Sequence, residues 1–318
     1  MVSLSELGAR YAQSAGGRAL AKALSEKRGG NVFLKGLVAS SAPVVLGQVL
    51  GNQGSLCVLF VLDDQESAAY FYHDLVQIHG EERVLFFPSA YRRAAKYGQK
   101  DDASVILRTE VLSRLTTLAP GGQTLLVVAS PDSLAETTVA RRQLDERSVT
   151  LVKGQTADRD ELQDRLLELG FERADYVYEP GQFALRGSIL DVFSFSGEYP
   201  FRIDFFGDDI DSIRRFSVES QLSMEQVDNV VIVPEMKADA NDGTVSLLEF
   251  LPSDSIGAVH DMLICADRID AVAHDALDED SVAARMRRLD AGKDAAGNQE
   301  AASAGQELPT MMGKDDFL

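Results

Sequence analysis

The segment Gly36-Leu-Val-Ala-Ser-Ser41-Ala42-Pro43 has the outline of a phosphate-binding loop without its chemistry. Such a loop reads Gly-x-x-x-x-Gly-Lys-[Ser/Thr] between a strand and a helix. Its backbone amides cradle phosphate oxygens, its lysine neutralises charge and its hydroxyl holds Mg²⁺. Here the second glycine is Ser41, the lysine position is Ala42 and the hydroxyl position is Pro43. Pro43 also removes a backbone donor from the cradle. The plainer alternative is a strand–helix turn with proline near a helix start. On either reading no nucleotide hydrolysis and no cofactor are expected. The acidic pairs Asp63-Asp64 and Asp101-Asp102 do not restore the chemistry, because both fall at predicted helix starts, where capping accounts for them. The histidines at 73, 79, 260 and 274 lack metal-ligand spacing, so no zinc site is expected. Arginines remain. Arg173 follows Gly170-Phe171-Glu172 just past a predicted helix end, and Arg186 lies in a predicted strand. Guanidinium groups grip carboxylates with two parallel hydrogen bonds and are favoured anchors at protein interfaces.

The elements that position these arginines lie between residues 158 and 216. Asp158-Arg-Asp-Glu161 is a capping box opening a helix through Leu162, Leu166 and Leu169, which Gly170 closes. Glu179-Pro180-Gly181-Gln182 has the signature of a type II turn. After it, Phe183, Leu185, Ile189 and Phe193 recur in even steps, which predicts one shared strand face. Gly187 predicts a bulge or a close backbone approach on that strand. Turns follow at Ser196-Gly197-Glu198 and Gly207-Asp208-Asp209, separating Phe201–Phe205 from Ile210–Phe216. Four short strands with tight turns predict an antiparallel meander. One face is apolar, and the other carries Arg186, Arg202, Asp204 and Arg214. On that face Arg186 could pair with Asp204 or Glu179, and Arg202, Arg214 and Arg215 sit near Asp204, Asp211 or Glu219. Phe193 shares parity with Phe183, so core packing competes with partner contact there.

Outside the meander the grammar is strand–helix alternation. Ser55–Leu62 is a continuous apolar run ending in Asp63-Asp64, a buried parallel-type strand before a helix that runs to about His79. Strands are expected at Val32-Phe33-Leu34, at Val84–Pro88 and at Thr124–Ala129, with a helix over Ala103–Leu118. The pattern resumes around Val230–Pro234 and through Ser246–Val259, so an insertion into an α/β domain with a mainly parallel sheet is the economical reading. The 318 residues suit about two domains of ~150 residues each, and 45% apolar residues allow proper cores. A net charge of −19 argues against a stand-alone nucleic-acid binder. Tyr91-Arg-Arg-Ala-Ala-Lys96-Tyr97 interleaves aromatic and basic residues and could touch DNA or a partner protein, although a loop decorating a helix start is the favoured reading. Cys57 and Cys265 lie in apolar stretches and read as reduced core residues of a cytoplasmic protein. No secretory signal and no apolar run near ~20 residues is present, so no membrane partner is expected.

The run Asp175-x-Val-x-x-Pro-Gly-Gln-Phe-x-x-Arg-Gly-x-Ile-Leu-Asp-Val-Phe193, with Arg202–Arg214 and Ser217–Ser223 after it, resembles the UvrB-like module of bacterial nucleotide-excision repair. That module is shared by the helicase subunit UvrB and by the transcription-repair coupling factor family (Mfd). The match is dense over roughly 170–223 and looser over 30–135 and 225–265. The degenerate loop at Gly36, Ser41, Ala42 and Pro43, the Gln182-Phe183 after the turn and the absence of further helicase motifs favour the coupling-factor side. The resemblance implies a degenerate RecA/helicase-like parallel-sheet domain interrupted by an inserted α+β domain with an antiparallel meander. The expected division is 1–135 and 221–289 for the two parts of the α/β domain, 136–220 for the insert, and 290–318 for a linker or disordered tail. It further implies the N-terminal segment of a much longer translocase, itself without catalysis. The insert would bind UvrA through Arg173, Arg186 and Phe193, under masking by other domains of the parent. RNA polymerase and DNA would be reached through that parent. The alternative the resemblance leaves is a UvrB-like ATP-dependent DNA helicase fragment.

Overall fold

The computed structural model describes residues 4–25, 31–50, 57–90, 102–118, 124–236 and 244–274. In chain order the elements are α1 (Leu4–Ala12), α2 (Ala15–Ser25), α3 (Ser41–Leu50), β1 (Cys57–Val61), α4 (Gln65–His79), β2 (Val84–Phe87), α5 (Asp102–Thr116), β3 (Leu125–Ala129), α6 (Pro131–Ala135), β4 (Thr138–Val139) and α7 (Arg141–Arg147). Then come β5 (Val149–Val152), α8 (Arg159–Glu168), β6 (Glu172–Arg173), β7 (Gln182–Arg186), β8 (Ile189–Val192), β9 (Phe201–Phe206), β10 (Asp209–Phe216), β11 (Ser223–Val227), β12 (Asn229–Ile232), β13 (Thr244–Val245) and β14 (Ile256–Val259). A last helix, α9, covers 262–274. The described residues divide into two compact units, one drawn from 1–99, 118–138 and 238–318, the other from 100–117 and 139–237. The class is mixed α/β, with a parallel sheet and separate antiparallel sheets.

The first unit is built on a four-stranded parallel sheet in the order β14-β1-β3-β2. Every residue of β1 and of β3 is buried, as continuous apolar runs in a parallel sheet should be. Val58, Phe60, Leu126 and Val128 pack with Phe71 and Leu75 of α4. Asp64 caps α4, its side chain accepting from the Ser67 amide at 2.7 Å, and this holds the Asp64 carboxyl below its usual range. Asp63 does not cap. It meets Nδ1 of His260 at 2.9 Å, just past β14. Cys57 and Cys265 are both buried and free, and desolvation pushes their thiols up to about 12 and about 11.

One expectation fails in this unit. Val32-Phe33-Leu34 forms no strand, and Phe33 is 92% exposed. Three apolar residues are too short a run to bury themselves, so the segment before α3 stays irregular.

The second unit holds a six-stranded sheet in the order β11-β10-β9-β8-β7-β6, antiparallel throughout except for the parallel β6–β7 pair. Beside it, β12 pairs antiparallel with β5. Helix α8 starts at Asp158, whose carboxylate accepts from the amides of Asp160 and Glu161 at 2.8 and 3.1 Å. It ends with the Phe171 amide bonded back to the Leu166 carbonyl at 2.9 Å, the closure expected after Gly170. Leu162 and Leu166 of α8 fill one core with Phe183, Leu190, Ile203, Phe205, Ile213, Val230 and Ile232.

Two differences from the expected meander follow from that core. The unit does not end near residue 220, because β11 extends the sheet to Val227. Val230–Pro234 does not resume strand–helix alternation. Val230 and Ile232 are buried in the same core as Leu151 of β5, and that burial ties the segment to the antiparallel unit.

Candidate functional site

Strands β7 and β8 form a hairpin closed by the two-residue loop Gly187-Ser188, with Arg186 opposite Ile189 and Ala184 opposite Asp191. Gly187 takes φ 63°, the left-handed value that such tight hairpin loops require and that glycine meets without strain. The expected bulged strand over 183–193 is therefore two strands. A two-residue loop inverts parity. Phe183 and Leu185 share a face with Leu190 and Val192, whereas Ile189, Asp191 and Phe193 lie on the face of Arg186. Before the hairpin, the Glu179–Gln182 turn forms as read, with Gly181 at φ 85° and the Gln182 amide bonded to the Glu179 carbonyl at 3.2 Å.

The face opposite the main core carries a charged cluster. In register across the sheet stand Ala184, Asp191, Arg202 and Arg214. The Asp191 side chain is fully buried. Its two oxygens accept from Nε and Nη2 of Arg202 at 2.7 and 2.9 Å, in a fork geometry. Nη2 of Arg186 donates to the same carboxylate. Arg202 also donates to the Gln221 carbonyl at 3.1 Å and lies 4.5 Å from the centre of the Phe216 ring. The hydrogen bond to Asp191 raises the Arg202 pKa. The Arg186 guanidinium lies 4.7 Å over the Tyr176 ring, a cation–π distance. Two guanidiniums against one carboxylate leave a net positive charge. That charge faces outward at Arg186, whose side chain is 35% exposed against 15% for Arg202.

Each expected site residue has a definite place. Arg173 is exposed on β6, a two-residue strand and not a loop, because the amides of Glu172 and Ala174 bond to β7 and its turn at 2.8 Å each. No hydrogen bond or ion pair engages the Arg173 side chain among the described residues. Arg186 pairs with Asp191, and neither Asp204 nor Glu179 is its partner. Arg214 reaches Asp204 at 3.4 Å, and Arg215 reaches Glu225 at 3.2 Å. Phe193 takes the packing alternative that its spacing left open. It is buried, 6% exposed, with Val177, Ala184 and Phe216 in a small second core.

Reading the sequence missed Asp191 and Tyr176. The signal for Asp191 was a carboxylate amid the apolar run Ile189-Leu-Asp-Val-Phe193, legible only once the parity inversion sets it beside Arg186. Tyr176 and Tyr178 are half exposed, with ring centres 6.5 Å apart.

In the other unit, Ser41 begins α3, its hydroxyl accepting from the Val38 amide at 2.7 Å. Gly36 takes φ 91°, Ala42 packs against the parallel-sheet core and Pro43 is buried. The helix half of the expected loop context is present and the strand half is not. The basic cluster at 91–97 and the tail from 290 lie outside the described residues. Among the described residues, no group of three or more His, Cys, Asp or Glu could hold a metal ion. No helix among them is long and apolar enough to cross a membrane.

The sheet, the hairpin and the arginine face all fall inside one recognised module. Residues 149–237 match the UvrB interaction domain. The chain is also similar to transcription-repair-coupling factors. It is 33% identical to that of Escherichia coli K12 over 139 residues, covering 43% of this chain and 12% of the relative. It is 28% identical to that of Bacillus subtilis over 234 residues (70% and 20%) and 31% identical to that of Myxococcus xanthus over 235 residues (72% and 19%). The resemblance read from residues 170–223 is thus upheld. The chain spans at most about a fifth of the length of these relatives. The matched stretch begins at β5 and ends past β12, so it takes in the pair of strands that packs in one core with α8.

Proposed function

We propose that this chain is the non-catalytic recruitment module of a transcription-repair coupling factor, and that its UvrB interaction domain binds UvrA. On this reading the module brings repair proteins to a stalled RNA polymerase. Polymerase, DNA and any masking domain are engaged through parts of the parent protein, in the cytoplasm. The α/β unit is a degenerate RecA/helicase-like scaffold interrupted by the antiparallel unit.

The observation that carries the proposal is the open arginine face. Arg173 is exposed with no partner among the described residues, and Arg186 is half exposed with donors to spare. A carboxylate-bearing partner surface fits such a face, since arginine anchors supply a large share of interface energy. The non-catalytic part rests on Ala42 and Pro43, which stand where a phosphate-binding loop needs lysine and a hydroxyl.

Calorimetry of the chain with purified UvrA tests the reading. Binding is expected to be micromolar or tighter, and Arg173→Ala with Arg186→Ala is expected to cost about 2 kcal/mol or more. Wild type that fails to bind would overturn the function, and a double variant that binds equally well would overturn the site. Tight ATP binding or turnover by the chain would overturn the reading of residues 36–43.

A further inference from the structure

Asp191 is fully buried, so it touches no partner, yet it is bonded to Arg186, the more exposed of its two guanidinium partners. We propose that Asp191 is a positioning residue, which with the Tyr176 ring holds the Arg186 guanidinium in the orientation that receives a carboxylate of UvrA. The inference rests on the reading of Arg186 as an anchor.

The geometry supplies two restraints from two directions. Asp191 takes one edge of the guanidinium through Nη2, and Tyr176 covers one face at 4.7 Å. Nε and Nη1 of Arg186 have no partner among the described residues. A free arginine side chain samples many rotamers and must lose that freedom on binding, whereas a guanidinium already held loses less. Asp191 is itself immobilised. Arg202 grips it with two bonds, and Arg202 is fixed in turn by the Gln221 carbonyl and the Phe216 ring. Sharing the carboxylate matters. A carboxylate devoted to Arg186 alone would neutralise it and compete with the partner, but here most of the acceptor capacity goes to Arg202. Arg186 is aimed while its charge stays available.

The test uses the chain itself in four forms: wild type, Arg186→Ala, Asp191→Asn and the two combined. UvrA binding is read by calorimetry, and the order of the Arg186 Nε–H bond by ¹⁵N relaxation in the free chain. Asp191→Asn is expected to weaken binding about tenfold, and the combined variant to bind no more weakly than Arg186→Ala alone, the non-additivity expected of residues acting through one contact. Arg186 Nε should become mobile in free Asp191→Asn while the amide spectrum of the core stays that of wild type. If Asp191→Asn does not fold, Asp191→Glu replaces it, keeping the charge but moving the carboxylate by a methylene, with the same expectations. The inference is overturned by wild-type affinity in a folded Asp191 variant, by losses that add to those of Arg186→Ala, or by an Arg186 Nε that stays ordered. Wild-type affinity in Arg186→Ala overturns the anchor and the positioning role together. Should wild type not bind UvrA at all, the recruitment function fails, and the Nε order alone decides whether Asp191 positions Arg186.

Discussion

The two faces of the six-stranded sheet are made by the same strands and solve different problems. On one face Phe183, Leu190, Val192, Ile203, Phe205 and Ile213 pack under Leu162 and Leu166 of α8. On the other, Asp191 joins Arg186 and Arg202 beside a small core of Val177, Ala184, Phe193 and Phe216. Apolar packing is non-directional and tolerates exchange of similar volumes. A buried carboxylate shared by two guanidiniums is directional, and removing one partner leaves buried charge poorly compensated. The first face should therefore set most of the unit's stability, and the second both its own order and what the unit recognises.

The largest effect is expected from Phe183→Ala, which empties the centre of the apolar face. It should cost about 3–5 kcal/mol in denaturant unfolding, with the affinity of the folded fraction for UvrA unchanged. A loss of affinity in molecules that remain folded would break the division between the faces. Arg202→Ala comes next, at about 3 kcal/mol of stability, because it leaves Asp191 buried with Arg186 alone. If it were silent, the charged face would be ornamental. Arg173→Ala separates the faces in the other direction. It should weaken UvrA binding by about 1–2 kcal/mol while leaving the melting temperature within error, since no hydrogen bond or ion pair among the described residues engages its side chain. The smallest effect is expected from Asp158→Ala, which removes the α8 cap at a cost of about 1 kcal/mol in stability and none in binding. A binding defect there would mean that α8 reaches the partner surface.

Much of this was legible residue by residue. The capped helix from Asp158 to Gly170, the turn at Pro180-Gly181 and the buried strand at Cys57–Val61 all formed as read, because each is decided by local chemistry: a cap, a left-handed glycine, an uninterrupted apolar run. The face carrying Arg186, Arg202, Asp204 and Arg214 was legible from alternation alone. Phe193 was misplaced by the same rule. Even spacing was carried through Gly187-Ser188, where the chain reverses and parity inverts. The failed strand at Val32-Phe33-Leu34 shows the converse limit, since β-propensity without a sheet edge to pair with forms nothing.

Composition and local pattern were enough to read a mixed α/β chain with a parallel sheet and an antiparallel meander, and arginines on a sheet face. Three things depended on residues far apart in the chain. Val230–Ile232 belongs with β5 because burial beside Leu151 outweighs a local reading. Phe193 is buried because Val177 and Phe216 reach it on the face that a two-residue hairpin also gives Arg186. Asp191, one more residue in an apolar run, becomes the fixed point of the charged face only when β7, β8 and β9 bring two arginines to it. The pairing energy of buried charges depends on distances that strand register sets, and local propensity carries no record of them.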